Sequence, residues 1–401
     1  MMNDILNETI MGAMEEDKRQ HPKVYEEEVD LNCAINKSLG LSYTVKHYDK
    51  DGNLKSVQKG GNSLVRNFAT LIGGLFRVGQ DTVDSGIVDF RPGYPYDSGG
   101  ATSIRYLGSA PAGWSNYGIV VGSDSTAVDP TDSSLGSKYT NGAGSGNLVI
   151  SSQSHDAAPT VGASTITFST ERSFRNDYGS SQDVNEIGLM GGITYSTSSS
   201  SYLLFAHDII TTVSLGSGET IVVEYTFTVS ESEGMTKNWG YMLWGLLFNE
   251  TDSSTVKNTS NSFVSNRHYN SSDRYLAWFG ADPGTDTGVG PVVGSDDTTM
   301  SMDDYNLGSE LTTLDYGSYT KPTGSVASVS GSESSKSCSR VFTNNTGGNV
   351  TIKEVGLIIS HYDSPGGGDE DILVFRKVLG SPVTLSDGDT YALTWKMKVT
   401  A

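Results

Sequence analysis

Apolar and polar residues alternate over short stretches along much of the chain, which is the pattern of strands that bury one face. Turn residues such as Gly, Asn and Asp separate these stretches. The pattern predicts strands at 117–122, 148–152, 164–174, 184–189, 202–205 and 221–229, with equivalents in the second half of the chain. Many short strands between turn signals indicate a mainly β protein with β-sandwich or jelly-roll-like domains.

Two stretches have a helical period instead. Residues 62–76 place apolar side chains three and four positions apart, after residues that can cap a helix. Residues 235–247 return to the same pattern, with Trp239, Met242 and Leu243 on the matching face. We therefore expect one amphipathic helix in each domain, lying across a β-sheet.

The chain repeats itself at an interval of about 171 residues. RSFRNDYGSSQDVNEIGLM from Arg172 returns as RVFTNNTGGNVTIKEVGLI from Arg340, an offset of 168. Two further matches are VVGSDSTAVDPTDSSLGS with VVGSDDTTMSMDDYNLGS, at an offset of 172, and LLFAHDIITTVSLGSGETIVVEYTFTV with LVFRKVLGSPVTLSDGDTYALTWKMKV, at an offset of 170. Solenoid units are usually about 20 to 50 residues, so this period indicates a duplicated globular domain.

The repeat divides the chain into an N-terminal arm (1–29), a β-hairpin (30–59), a first repeat (60–230) and a second repeat (231–401). The arm carries a short amphipathic helical pattern that is poorly able to bury itself. Two interpretations stay open for it, an arm that docks on a neighbouring molecule and a disordered tail.

The hairpin prediction rests on the run LSYTVKHY, the turn DKDGN and the run LKSVQ. Asp49, Asp51 and Asn53 resemble the start of a calcium-binding loop. Gly60 stands at the twelfth position, where such a loop needs a Glu ligand. A plain Asp-Gly turn is therefore the preferred interpretation.

A pair of opposite charges recurs in the best-matched stretch. If residues 172–190 form a hairpin in which Phe174 faces Val184, Arg172 lies opposite Glu186. The same register in the second repeat places Arg340 opposite Glu354. We interpret both as structural cross-strand ion pairs, each contributing about 0.2 to 1 kcal/mol, and not as catalytic dyads.

Composition narrows the class of protein. The net charge of -20 argues against a broad phosphate-contacting surface, and a chain with 47 Gly and 18% charged residues is typical of extracellular or virion β-proteins. Cys33 and Cys338 are the only cysteines, so no disulfide framework is expected. No apolar segment approaches the roughly 20 residues of a membrane span. The start of the sequence lacks a secretory-signal pattern, so we expect the chain as given to be the chain as made.

Catalytic motifs are weak. Neither a phosphate-binding loop nor a nucleophile elbow is present. At the offset of 170, His207 and Asp208 align with Lys377 and Val378, and we interpret this as a surface difference. The histidines are scattered and do not recur in the repeat: His21, His47, His155, His207, His268 and His361. The sequence therefore predicts no catalytic, cofactor-binding or metal-binding residues.

One acidic loop, HYDSPGGGDED, offers the oxygen ligands that Ca²⁺ prefers, from Asp363, Asp369, Glu370 and Asp371. A solvated acidic loop made flexible by glycine is the preferred alternative, so no metal is assigned to it.

Residues 77–117 and 248–290 are the parts in which the repeats diverge, and they are rich in aromatic residues such as Trp114 and Trp278. These loops are candidates for an interface or a glycan platform, although packing within the domain is the more common fate of such residues.

The succession VRNF…LF, GIVVGSD…DSSLGS, RSFRN…VNEIGLM and LGSGETIVVEYTFTV resembles a poorly characterised family of β-rich virion proteins of tailed phages and archaeal viruses. The resemblance covers most of both repeats and implies a non-enzymatic structural role in the virion, as a tail tube, tail adaptor or capsid decoration protein. It implies partners that are other copies of the chain, in a ring or lattice, and other virion proteins. It implies no site residues.

Two other functions stay open. A tail-fibre or cell-surface adhesin would bind glycans through the divergent aromatic loops. A polysaccharide-degrading enzyme needs two carboxylates about 5 to 10 Å apart in a groove, and the sequence offers no compelling pair.

Overall fold

The computed structural model describes residues 22–30, 39–61, 64–65, 67–68, 103–105, 109–196, 199–230, 234–248, 255–264, 289–317, 333–362 and 369–400. These ranges are mainly β, as predicted. The strands of the N-terminal segment and first repeat are β1 (Val24–Asp30), β2 (Leu39–Tyr48), β3 (Leu54–Gly61), β4 (Ser103–Arg105), β5 (Gly118–Gly122), β6 (Thr140–Asn141), β7 (Asn147–Ile150), β8 (Ser154–His155), β9 (Thr160–Val161), β10 (Thr165–Arg175), β11 (Gln182–Ser196), β12 (Ser199–Leu215) and β13 (Thr220–Ser230).

The second repeat begins with the helix α1 (Lys237–Phe248). Its strands are β14 (Val256–Lys257), β15 (Phe263–Val264), β16 (Gly290–Gly294), β17 (Asp315–Tyr316), β18 (Glu333–Thr343), β19 (Val350–Tyr362), β20 (Asp369–Leu385) and β21 (Thr390–Thr400).

Each repeat contributes two main sheets with matching pairings. In the first repeat the strand order is β3-β2-β13-β10-β7-β6 in one sheet, and β11 pairs with β12, β4 and β5 in the other. In the second repeat the orders are β1-β21-β18-β17 and β16-β19-β20. Thus β10 pairs with β13 as β18 pairs with β21, and β11 pairs with β12 as β19 pairs with β20.

The predicted hairpin over 172–190 is wrong, although both of its strands exist. Arg172 on β10 lies opposite Val223 of β13, whereas Glu186 on β11 lies opposite Ile209 of β12 in a different sheet. The two side chains therefore form no cross-strand ion pair. The second repeat departs from the prediction in the same way, with Arg340 opposite Leu393 and Glu354 opposite Val378.

A buried asparagine explains why the chain changes sheet at this point. Asn176 follows β10, and its Nδ2 donates to the carbonyl of Leu215 at 2.7 Å and to that of Ser180 at 2.9 Å. Asn344 donates in the same way to Leu385 at 2.9 Å and to Gly348 at 2.7 Å. Each asparagine binds the turn to the end of a strand in the facing sheet. The chain therefore passes from one sheet to the other and does not form a hairpin within one sheet.

The N-terminal segment completes a sheet in each repeat. β2 pairs antiparallel with β13, and β3 folds back on β2 in the predicted hairpin. β1 pairs parallel with β21 of the second repeat. The expectation of a helical arm is therefore wrong for Val24–Asp30, while residues 1–21 lie outside the described ranges.

The helix α1 lies between the two repeats. Its Phe248 ring is 5.4 Å from Phe168 and 6.2 Å from Phe227 of the first repeat. A β-carbon added at Gly240 would lie 2.8 Å from Ile166, so the close approach of helix and sheet needs this glycine. One hydrophobic cluster consequently contains residues from both sides of position 230.

The prediction of an amphipathic helix is wrong for α1, because its described side chains are buried around nearly the whole circumference. A helix that is apolar all round belongs in a core, and here two sheets supply it. The predicted helix of the first repeat lies largely outside the described residues. Of that predicted helix, Asn67 and Phe68 are helical and buried. The prediction is wrong for its start, because Leu64 forms a β-bridge with Ala206 and Val65 is not helical.

Candidate functional site

Glu186 is a fully buried carboxylate at the centre of a polar cluster in the first repeat. Its Oε1 accepts the backbone N–H groups of Ser137 at 2.8 Å and Asp124 at 3.2 Å. Its Oε2 accepts the backbone N–H of Gly136 at 3.0 Å and contacts Nε2 of His207 at 3.0 Å. Glu186 thus holds both ends of the loop that follows β5.

His207 on β12 connects Glu186 to the middle of the same loop. The ring is 4% exposed, and its Nδ1 lies 2.7 Å from Oδ2 of Asp132. Asp132 also accepts the backbone N–H of Asp129 at 3.0 Å. Both ring nitrogens are therefore engaged with carboxylates, one on a strand and one on the loop.

The contacts of Glu186 and His207 shift the pKa of both groups. Burial alone would lower the pKa of His207, but hydrogen bonds and charge from Glu186 and Asp132 outweigh it and raise that pKa. Burial would likewise raise the pKa of Glu186, but the hydrogen bonds from His207 and the backbone N–H groups lower it. The arrangement favours an imidazolium between two carboxylates.

The second repeat contains the same arrangement around Glu354, which is also fully buried. Its Oε1 accepts the backbone N–H of Ser309 at 2.9 Å and that of Asp296 at 3.4 Å. Its Oε2 accepts the N–H of Gly308 at 3.2 Å and Nε of Arg376 at 2.7 Å. An arginine here takes the place of the histidine.

Arg376 fixes the loop of the second repeat through three more contacts. Its Nη1 donates to Asp304 at 2.7 Å, and its Nη2 donates to Asp296 at 3.2 Å and to the carbonyl of Thr298 at 3.1 Å. Burial would lower the pKa of Arg376, but the hydrogen bonds and charges of Asp304 and Glu354 raise it. We name these clusters the first clasp (Asp124, Asp132, Gly136, Ser137, Glu186 and His207) and the second clasp (Asp296, Asp304, Gly308, Ser309, Glu354 and Arg376).

The sequence interpretation of His207 is wrong on two counts. The residue is buried and not part of a surface difference. Its counterpart is Arg376 and not Lys377, because His207 lies opposite Gly188 as Arg376 lies opposite Gly356.

An extra residue in β20 causes the misalignment. The partners of Val184 and Glu186 on β12 are four positions apart, whereas the partners of Ile352 and Glu354 on β20 are five apart. The additional residue falls in the stretch that contains Pro382, and bulged edge strands tolerate such a proline. No single offset aligns both halves of this strand.

Glycines make room for the two buried carboxylates. A β-carbon added at Gly122 would lie 2.2 Å from Oε1 of Glu186, and one added at Gly294 would lie 2.3 Å from Oε1 of Glu354. The recurring VVGSD and LGS motifs therefore supply the space and the backbone N–H groups of the clasps. The repetition of Glu, Asp and Gly between the halves was the available sequence signal, but the hairpin interpretation assigned Glu186 to the wrong partner.

The clasps are suited to holding loops and not to moving protons. In the first clasp both nitrogens of His207 contact carboxylates, and in the second Arg376 keeps its proton at any physiological pH. A general base must reach the proton that it abstracts. The exchange of histidine for arginine in one geometry indicates a structural cation.

Arg172 is a second buried cation with a structural role. Its guanidinium donates to backbone carbonyls and to no carboxylate among the described residues, at 2.7 Å to Trp114 and 2.9 Å to Pro111. Its other acceptors are the carbonyls of Tyr117, Ile119 and Ser151. Burial lowers the pKa of Arg172 to about 10. The side chain fixes the segment that presents Trp114.

Trp114 is 47% exposed and begins a row of aromatic rings. Its ring centroid is 5.7 Å from that of Tyr117, which stacks on Tyr202 at 5.8 Å. A rigid, partly exposed aromatic surface is a suitable platform for a sugar ring. The second predicted tryptophan, Trp278, lies outside the described residues.

Neither stretch that resembled a calcium site in the sequence forms a metal-binding cluster of carboxylates among the described residues. The carboxylate of Asp49 accepts the backbone N–H groups of Asp51 at 2.9 Å and Asn53 at 2.8 Å, which is the plain turn that we preferred. In the other candidate Glu370 accepts Nδ2 of Asn258 at 2.7 Å, and Asp363 lies outside the described ranges. Within the described residues, no group of three or more His, Cys, Asp or Glu side chains could hold a metal ion.

Comparisons with family models, with curated proteins and with solved structures gave no match to this chain. In the part of the chain that the structure describes, no helix is both long and apolar enough to cross a membrane. Fold and site together define a mainly β protein in which two buried carboxylates hold long loops against the sheets.

Proposed function

We propose that this chain is a non-enzymatic structural protein of a virion, built from two tandem β-sandwich domains that associate with other copies of the chain. The observation that carries the proposal is the pair of clasps, which fix equivalent loops with Glu186 and Glu354. Two similar rigid units in one chain suit pseudo-symmetric rings or lattices, because each molecule then presents two similar surfaces.

The resemblance to virion proteins of tailed phages and archaeal viruses supports this location and leaves a tail tube, a tail adaptor and a capsid decoration as the candidate components. Other virion proteins are the expected partners. The net charge of -20 supports contacts with proteins over contacts with nucleic acid, since phosphate binding needs clustered cations.

The test is the mass and shape of the purified chain, from light scattering and negative-stain microscopy over a range of concentrations. Rings, tubes or sheets are expected. Deletion of residues 1–22 tests whether the N-terminal residues contact a neighbour, because it leaves β1 in place. A monomer at every concentration would overturn the proposed role.

The exposure of Trp114 favours a second candidate, an adhesin that binds glycans. A glycan array with the wild-type chain and Trp114→Ala tests it. Phe263→Ala is the matched control, because Phe263 is 58% exposed and lies elsewhere, beside Lys257. Binding that is lost with Trp114→Ala and kept with the control would support the adhesin, and the absence of glycan binding by the wild-type chain would reject it.

A further inference from the structure

Two sheets of the molecule end in strands with an open outer edge. β1 (Val24–Asp30) is the terminal strand of the sheet β1-β21-β18-β17, and β3 (Leu54–Gly61) is the terminal strand of the sheet that contains β2 and β13. The two are of similar length, with 7 and 8 residues. Among the described residues no further strand pairs with either one. An edge strand of this kind offers a row of backbone N–H and C=O groups to another chain.

Both of these strands carry exposed apolar side chains. Val24 on β1 is 63% exposed, and Leu54 and Val57 on β3 are 54% and 46% exposed. Natural edge strands are commonly protected against pairing with another chain, whereas exposed aliphatic side chains on an edge favour such pairing. These edges are therefore suited to being covered.

The two edges carry opposite charges. β1 reads VYEEEVD, whereas the charged side chains of β3 are Lys55 and Lys59. Glu28 already pairs with Lys396 at 2.5 Å, and Lys55 pairs with Glu219 at 2.7 Å.

Glu26 and Lys59 are exposed charges that are available for an outside partner. Both are exposed, and neither forms an ion pair within the described ranges. They lie on edges whose remaining charges have the same sign as their own, so each edge is complementary to the other and not to itself.

We propose that β1 of one molecule pairs with β3 of a second copy of this chain, so that the sheets of neighbouring molecules join head to tail. Backbone hydrogen bonds along the two edges supply affinity, and opposite charges favour β1 against β3 over β1 against β1 or β3 against β3. A contact between two different surfaces repeats from molecule to molecule and generates a ring or a filament. The inference rests on the proposed function, since it supplies the contact by which copies assemble.

Another exposed edge is less suited to this pairing. The long strand β20 pairs with β19 on one side, and its stretch near Gly380 contains Pro382, which has no N–H to donate. β1 and β3 contain no proline. Pro382 therefore hinders pairing along the edge of β20, whereas no proline hinders pairing along β1 or β3.

Charge reversal tests the pairing in the full-length chain. Glu26→Lys places a lysine on the otherwise acidic β1, and Lys59→Glu replaces one of the two lysines of β3 with an acid. Each variant alone is expected to associate about tenfold more weakly than wild type in sedimentation or light scattering, because a like-charge contact replaces an attractive one. An equimolar mixture of the two variants is expected to recover most of the association, since each reversed side chain can then meet one of opposite charge on the other variant.

Matched controls reverse exposed charges away from these edges. Asp315→Lys changes β17, at the other end of the β1 sheet, and Lys377→Glu changes an exposed position on β20. Both are expected to associate like wild type. Thermal unfolding of all four variants near the wild-type midpoint excludes loss of folding as the cause.

The outcomes separate this inference from the proposed function. Assembly of the wild-type chain together with equal assembly by Glu26→Lys and Lys59→Glu would overturn the pairing and leave the structural role standing. Weak association of both variants without recovery on mixing would also overturn it. A wild-type chain that never associates would reject both proposals.

Discussion

His207 and Arg376 occupy equivalent positions in the two repeats, each opposite a glycine of the neighbouring strand and each between a buried glutamate and a loop aspartate. The one difference of chemical consequence is that the imidazole titrates near neutral pH and the guanidinium does not. The two clasps should therefore respond differently to pH, although their geometry is the same.

The first prediction concerns the free energy of unfolding as pH rises. The pKa of His207 is raised in the folded protein by Glu186 and Asp132, against the effect of burial, and Asp124 also faces the ring. A raised folded pKa gives stabilisation that is complete below the unfolded pKa of about 6.5 and is lost as pH rises through the folded value. We expect the free energy of unfolding to fall by an amount on the order of 1 kcal/mol once the pH lies above the folded pKa of His207.

His207→Arg isolates this contribution, because it copies the cation of the second clasp. Denaturant unfolding between roughly pH 5.5 and 8.5 should show a shallower pH dependence for the variant than for wild type. Arg376→His should make the dependence steeper. An unchanged slope in both variants would contradict the account of the first clasp.

The second prediction concerns the buried glutamates. Glu354→Ala leaves Arg376 buried without one of its two closest acceptors and releases the N–H groups of Gly308 and Ser309. Breaking a buried pair by removing one partner costs about 3 to 5 kcal/mol, and denaturant unfolding measures it. Hydrogen exchange should become faster in the loop that follows β16.

Asp303→Ala is the control for Glu354→Ala. Asp303 pairs with Lys237 at 2.6 Å, but its side chain is 74% exposed. A surface pair of this kind contributes about 0 to 1 kcal/mol. Equal losses in the two variants would show that the clasp does not hold the loop.

The sequence was sufficient to predict the strands but not their partners. The alternation of side chains placed β10 and β13 close to their observed bounds, because a strand with one buried face carries that pattern locally. It predicted only the first part of β11, which continues to Ser196. Which strands pair depends on where the turn leads. Asn176 decides this by binding the end of β12, a contact 39 residues away along the chain.

The candidate site shows the same limit. Glu186 and Asp132 both stand in repeated motifs, but their common partner His207 lies on a strand whose counterpart has an extra residue. A bulge changes register without leaving a regular pattern in the sequence. The burial of α1 could not be predicted either. An apolar stripe with a helical period shows that one face of a helix is covered, but not whether a second sheet covers the opposite face.

The third prediction uses the glycines beside the carboxylates. Gly122→Ala and Gly294→Ala would each place a methyl group within 2.3 Å of a buried glutamate oxygen. Overpacking of this kind costs about 1 to 3 kcal/mol, measured by thermal or denaturant unfolding. Gly179→Ala is the control, because no atom lies within 4 Å of the added carbon and its backbone is not in the left-handed region. If the control lost as much stability as the other two, a general cost of replacing glycine would explain all three.

The last prediction tests whether the repeats share one core. Phe248 belongs to α1 of the second repeat, yet its ring packs against Phe168 and Phe227 of the first. Phe248→Ala should lower the free energy of unfolding by about 3 to 5 kcal/mol, because it opens a cavity at the junction. It should also separate one unfolding transition into two in calorimetry, since the junction is what couples the sheets. Phe263→Ala removes an aromatic ring that is 58% exposed and should leave a single transition close to that of wild type. Two transitions already present in the wild-type chain would mean that the repeats unfold independently in spite of their contact through α1.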